Sequence, residues 1–231
     1  MCPVALNSGL VALCTLPAMT ATGDDQAAQP ATAGPPALDL GGRLRAERLG
    51  QGIGLREMAR RLGISASALS QIETGKAQPS VSKLFDIVNL LGVSVDGLLT
   101  GDGAPPVVVP RGQEGFFSHQ QAGQHETLEL ESGVLWRRLT AGSFPGVEFL
   151  DVEYEPGACS SSEGGFMRHA GQEFGYLLSG RLQVDVGFER YQLGPGDSIS
   201  FPATTPHRLA NDGPEPARAI WCILGRHRGV Q

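Results

Sequence analysis

The spacing of apolar residues changes once along this chain, and that change constrains the architecture more than any other feature. From Leu40 to Leu99 apolar residues recur every three or four positions, as on one face of a helix. After Ser132 they alternate in short runs divided by turn residues: Val134–Leu139, Val147–Tyr154, Phe174–Leu178, Leu182–Val186, Ser198–Phe201 and Ala219–Leu224. A helical period and an alternating period do not interchange, because each faces its apolar side chains inward in only one backbone geometry. With 231 residues the chain is long enough for two small cores. The pattern predicts an α+β protein of two domains, a helical bundle followed by an all-β sandwich or barrel.

The flanking segments set the domain limits. Thr20 to Ala37 is rich in Ala, Pro, Thr, Gly and Gln without periodic apolar residues, so residues 1–37 read as a disordered tail. The helical domain is expected over 38–101. Gly101 to Pro110 (GDGAPPVVVP) reads as a linker, and 102–131 as linker plus irregular chain. The β domain is expected over 132–228.

The net charge of −6 argues against a general nucleic-acid binder, but it is unevenly spread. Ala37 to Gly101 carries eight Arg/Lys against six Asp/Glu, and Asp102 to the end carries ten against sixteen. Basic character belongs to the first half. Cys2, Cys14, Cys159 and Cys222 lack CxxC spacing, so neither a zinc knuckle nor a disulfide framework is suggested, and a reducing compartment is the plain reading. Val4 to Met19 is apolar but has no Lys or Arg near its start and is too short to cross a bilayer. A translation start at Met19 is the economical expectation, and the intact mass of the natural protein tests it. A cytoplasmic protein that does not enter membranes is expected.

Within the helical half, Leu40, Leu44 and Leu49 suggest an apolar face for a first helix. A second runs Leu55 to Leu62, with the small Ala59 where helices cross closely. Gly63 supplies the tight turn and Ile64 plugs the core. Ser65 is suited to cap a third helix that turns Leu69 and Ile72 inward. Ala66, Ser67, Ser70, Gln71 and Thr74 are left on its other face. Ser80 is suited to cap a fourth helix, after which Val93 to Leu99 begins a fifth. Short polar side chains on an exposed helix face suit the major groove, where Gln71 is matched to adenine and Ser67 and Ser70 to bases or phosphates. Arg56 and Lys76 sit at the margins, where backbone phosphates are the natural partners.

The run LREMARRLGISASALSQIETGKAQPSVSKLFDIVNLLGVSVDGLL resembles the repressor-type helix-turn-helix of the XRE regulators over about sixty residues. The resemblance rests on Ala59, Gly63, Ser65, Leu69, Ile72, the ETGK turn and Pro79. It implies a five-helix repressor-like bundle that binds double-stranded DNA.

In the β half, FMRHAGQEFGYLLSGRL (166–182) and GPGDSISFPATTPHRLAN (194–211) carry the candidate chemistry. His169 and Glu173 are four apart, and His207 can reach them from an adjacent strand. Two imidazoles and a carboxylate are the facial set typical of non-haem iron and also suit zinc, nickel or manganese. Alternatively His207, after Pro206, caps a strand turn. Gly175, Gly180, Gly187, Gly194 and Gly196 read as turn or bulge residues, and Trp136, Phe149 and Trp221 as core. Arg137, Arg138, Arg168 and Arg208 are candidates for an anionic effector or for solvent.

These segments resemble the two motifs of the cupins, whose fold is a double-stranded β-helix barrel. His169, Glu173 and Gly180 match the first motif, and Gly196, Pro202, His207 and Asn211 the second. Met167 stands where that family has its first His, and Thr204 where it has Gly. A thioether is a poor ligand for hard ions. The departure leaves open a three-residue metal site, or a metal-free pocket in which His169, Glu173 and His207 hydrogen-bond an organic effector beside Met167.

As a whole the chain resembles XRE-family regulators with a C-terminal cupin sensor domain. That resemblance implies a dimeric transcription factor, not an enzyme, that pairs DNA half-sites and responds to a small molecule in the barrel. The alternative is a non-haem iron cupin enzyme, similar to the phosphonate epixodases, using His169, Glu173 and His207.

Overall fold

The computed structural model describes residues 38–100 and 119–225, apart from 143, 145, 162 and 163. The tail expected over 1–37 and the GDGAPPVVVP linker lie outside the described residues.

Four helices build the first half: α1 (Leu40–Gly50), α2 (Leu55–Arg61), α3 (Ala66–Glu73) and α4 (Val81–Leu91). A six-residue α5 (Val95–Thr100) closes it, so the expected five-helix bundle is four helices and a short one. Local chemistry sets their limits. The Ser65 side chain accepts from Ala68 N at 3.0 Å and Ser80 from Lys83 N at 3.2 Å, each satisfying an N-terminal amide that the helix leaves free. Gly63, at φ 66°, makes the turn between α2 and α3, a backbone conformation that glycine adopts without strain.

The first helix departs from expectation. Leu49 is 57% exposed, and Arg48 takes the inward place at 5%. One turn after Leu44, Arg48 shares its face, and the buried Glu73 neutralises it there. Nearby, a side chain at Gly41 would overlap the Ile72 carbonyl, so α1 and α3 cross at near-backbone contact.

Among the described residues nine strands follow, all paired antiparallel. They are β1 (Thr127–Leu130), β2 (Val134–Arg138), β3 (Val147–Tyr154), β4 (Gln172–Ser179), β5 (Leu182–Val186), β6 (Glu189–Leu193), β7 (Ser198–Pro202), β8 (His207–Ala210) and β9 (Ala217–Leu224). One sheet has the order β1-β2-β3-β9-β4-β7 and the other β6-β5-β8. Buried residues of both sheets, including Leu150, Trp221 and Leu209, line one internal cavity.

Three strands fall where alternation is weak. The first, β1, corrects the expectation of irregular chain over 102–131: its TLEL is only four residues long but alternates in burial and pairs with β2. Strand β6 is almost wholly exposed, so no apolar face marks it. The third, β8, opens with a fully buried histidine instead of an apolar residue.

Two single residues also differ from expectation. Phe149 faces outward at 37% exposure while Glu148 on the same strand is buried. Gly175 is not a turn residue: it lies within β4, and a Cβ there would overlap the Trp221 ring. Three of the four arginines considered for an effector are in ion pairs, Arg137 with Glu153, Arg138 with Glu126 and Arg208 with Asp185. Arg168 is exposed.

Candidate functional site

Strand alternation turns Glu173 inward between the outward Gln172 side of β4 and the exposed Phe174. His207 begins β8 with its side chain inside the barrel. His169 lies in the loop before β4, its backbone N–H donating to Ala203 O at 3.0 Å. Met167 is held beside β8 by paired backbone hydrogen bonds with His207 and lines the cavity with Glu173. His207 is fully buried, and its Nδ1 bonds the Thr205 carbonyl of the preceding turn while its Nε2 faces Glu173.

The three side chains converge on one point. His169 Nε2 stands 2.7 Å and His207 Nε2 3.0 Å from the same Glu173 oxygen, Oε1. The outer atoms of each group are already engaged. His169 Nδ1 lies 3.0 Å from Ala170 O and His207 Nδ1 2.8 Å from Thr205 O. Carbonyl oxygens only accept, so both Nδ1 atoms carry the hydrogen and both Nε2 lone pairs point inward in the neutral rings. The other carboxylate oxygen, Glu173 Oε2, accepts from Trp221 Nε1 at 2.8 Å.

With both rings neutral, three buried acceptors face one another at hydrogen-bond distance with no hydrogen between them. Such a cluster calls for positive charge in its midst, either as protons on the imidazoles or as one cation. The ligating atoms lie within 4.8 Å of one another, and the outer hydrogen bonds are of the kind that orient metal ligands. The residues present can hold a divalent metal. Burial pushes the Glu173 carboxyl up, but hydrogen bonds from His169 and His207, once their rings carry a second proton, outweigh it and hold the group at about 2. Glu173 is thus an anion at the end of an otherwise apolar, closely packed pocket. Tyr154, also lining it, is pushed far above the ordinary phenol range, first by burial and then by the Glu173 charge.

On the helical half, Ser67, Gln71, Thr74 and Lys76 are exposed, as are Ser65 and Arg56, while Ser70 and Ala66 are half-buried. Two of these hydroxyls are committed locally. Ser65 caps α3, and Thr74 Oγ1 donates to Ser70 O at 2.8 Å. Ser67, Gln71 and Lys76 remain on the open face and its margin.

Comparison with known proteins is consistent with both halves. A family described as "Helix-turn-helix" matches residues 44–98, and one described as "Cupin domain" matches 150–223. The HTH-type transcriptional regulator PuuR of Escherichia coli is 26% identical over 184 residues, covering 78% of this chain and 91% of that protein. The SPbeta prophage-derived HTH-type regulator YonR of Bacillus subtilis is 35% identical over 92 residues, 36% of this chain and 85% of that protein. A crystal structure of an HTH_3 family transcriptional regulator from Vibrio cholerae has the same fold: TM-score 0.56, 18% identity, covering 82% of this chain and 97% of that one.

The chain belongs to the XRE-type helix-turn-helix transcriptional regulators with a cupin domain. It is a DNA-binding regulator of transcription. In this regulator the Glu of the ETGK turn is not a surface residue. Glu73 is 6% exposed and forms a bidentate pair with Arg48, Nε to Oε1 at 2.6 Å and Nη2 to Oε2 at 2.8 Å. Arg48 Nη1 also donates to Ile53 O at 2.8 Å. This pair ties α3 to α1 and fixes the pose of the exposed face. Sequence reasoning missed it, although Arg48 falling one turn after Leu44 was the available signal. It also missed the Trp221–Glu173 bond, for which the alternation of β9 gave only the inward direction.

Proposed function

We propose that this regulator reads DNA through α3 and that its affinity responds to a ligand held in the barrel. The triad carries the reading: three buried side chains turn their ligating atoms to within 4.8 Å of one another, in a chain whose other half is a helix-turn-helix. A structural cluster would pair each acceptor with a donor, as Arg48 and Glu73 do. The ligand is a divalent cation, iron, zinc, nickel or manganese, alone or with a small organic effector that ligates it. The apolar lining favours an effector with few polar groups.

Gln71 and Ser67 contact base edges, Ser70, Thr74, Ser65 and Ala66 line the approach, and Arg56 and Lys76 meet phosphates. The working form is a homodimer, which brings two recognition helices to paired half-sites. Support comes from the outer face of the larger sheet. Phe149, Phe174, Tyr176, Leu178 and Leu224 are each 37–47% exposed there, with Cys222 in register between Phe149 and Phe174. An apolar patch of this kind marks an interface, and a second copy is its occupant. Among the described residues no helix is long and apolar enough to cross a membrane, which fits a regulator working in the cytoplasm.

A second reading, a non-haem iron oxygenase, draws on the triad alone. It gives the helix-turn-helix half no part in the activity. Two measurements test the proposal. Gln71→Ala with Lys76→Ala weakens binding to a DNA fragment selected from random sequence by the full chain; unchanged specific binding removes the recognition surface given above. Metal analysis with oxygen uptake addresses the enzyme, and tightly bound iron with turnover replaces the sensor reading.

A further inference from the structure

Helix α4 belongs to the DNA-reading half, yet it has a foot in the barrel. Val81 and Phe85, one turn apart, line the same cavity as Glu173. The Phe85 ring lies 4.6 Å from the His169 ring, centroid to centroid, and 5.7 Å from that of Trp136. At 2% exposure it is enclosed on all sides. The start of the helix is tied down as well: Ser82 N donates to Ser160 O at 2.9 Å, and Glu131 N to Pro79 O at 3.0 Å. The same helix fully buries Leu84, Ile87 and Val88, and Lys83 Nζ reaches the Leu62 carbonyl at the end of α2.

We infer that Phe85 couples the triad to the helix-turn-helix, so that occupancy of the triad is read as a change in the seating of α4. The inference rests on the proposed roles of the two halves and adds the contact that joins them. Glu173 and His207 are held in strands, whereas His169 stands in the loop before β4. Its Nε2 is 2.7 Å from the Glu173 oxygen, and an ion held by both at about 2.1 Å and a right angle sets them about 3.0 Å apart, a shift of a few tenths of an ångström. The loop residue lies outside the strand ladders that hold the other two. The His169 ring is bounded by the edge of His207, at 5.2 Å and 84°, and by Phe85. An organic molecule ligating the same ion needs the space that the Phe85 ring fills. Both events press on one side chain of α4, and a close-packed interior passes such a displacement on. Linkage is reciprocal: DNA that reseats α4 alters the affinity of the triad by the same factor.

The test uses the full chain and Co²⁺ alone as the probe. The two tryptophans of the chain, Trp136 and Trp221, both line the cavity, so quenching of their fluorescence reports occupancy without reference to DNA. At saturating Co²⁺ the amides of α4 change in hydrogen exchange, and DNA affinity shifts by about fivefold or more. Phe85→Ala, saturated by the same criterion, loses both responses. Phe85→Leu, which keeps most of the volume without the ring, repeats the test if the alanine variant fails to fold. Quenching in the native chain with no change in α4, or full responses in Phe85→Leu and Phe85→Ala, overturns the coupling. No quenching at any concentration overturns it together with the metal reading. Specific DNA binding without Co²⁺, measured in parallel, shows whether the DNA-reading assignment stands by itself.

Discussion

Each half of this regulator buries a carboxylate, and the two are bonded in opposite ways. Glu73, in the helical half, meets a guanidinium that matches it atom for atom, and the spare Arg48 nitrogen is taken by a carbonyl. Glu173, in the barrel, meets two imidazole nitrogens whose outer positions already bond to carbonyls. Burial is similar, 6% against 1% exposure, so burial does not distinguish structural from ligand-binding charge. The balance of donors and acceptors does. A closed set holds two helices together, and an open set is one that could take a ligand.

Variants of the two sites should behave oppositely. The largest effect is expected from Arg48→Ala, which strands the Glu73 charge. Urea unfolding should show a loss of about 3–5 kcal/mol, and the double change Arg48→Met with Glu73→Leu should recover most of it. A loss below about 1 kcal/mol in the single variant would mean that the pair does not hold α3 against α1.

Glu173→Gln should do the reverse. The amide keeps the shape of the carboxylate and offers hydrogens to the imidazole nitrogens, so metal-free stability is retained or rises. Co²⁺ affinity, followed by tryptophan quenching, should fall by about 100-fold or more as the anionic ligand is lost. A marked loss of metal-free stability would place Glu173 in the same class as Glu73.

The outer support of the triad comes next. Trp221→Phe removes the donor to Glu173 Oε2 and should weaken Co²⁺ binding by about 10- to 100-fold while the fold persists. Gly175→Ala forces the indole aside and should cost about 1–3 kcal/mol of stability along with part of that affinity. Smallest is Ser65→Ala, which removes one cap from α3 and should cost about 1 kcal/mol. Greater loss of DNA binding than of stability would give the Ser65 hydroxyl a part in recognition.

Much of the fold was legible because its signals are local. The caps Ser65 and Ser80, the Gly63 turn and the six alternating runs each need only neighbouring residues to be recognised. What escaped was set by distant partners. Leu49 is exposed and Arg48 buried because Glu73, 25 positions away, supplies the opposite charge. The four residues of β1 make a strand because β2 lies beside them, and the polar β6 because it pairs with β5. Of the site, His169, Glu173 and His207 were legible from residue type and motif spacing. Their shared contact on a single oxygen was not, nor was the indole that holds the opposite oxygen.

The sequence by itself determined two halves of different period, the helix between Ser65 and Thr74 as candidate recognition helix, and three candidate ligands. These follow from the geometry of one element at a time, in which neighbours in sequence are neighbours in space. Tertiary structure alone decided that the halves share a continuous buried core, with Phe85 of the DNA-reading half against His169 of the barrel. Those residues lie 84 positions apart. No periodicity spans such a distance, and only the packing of α4 over the cavity brings the two rings together.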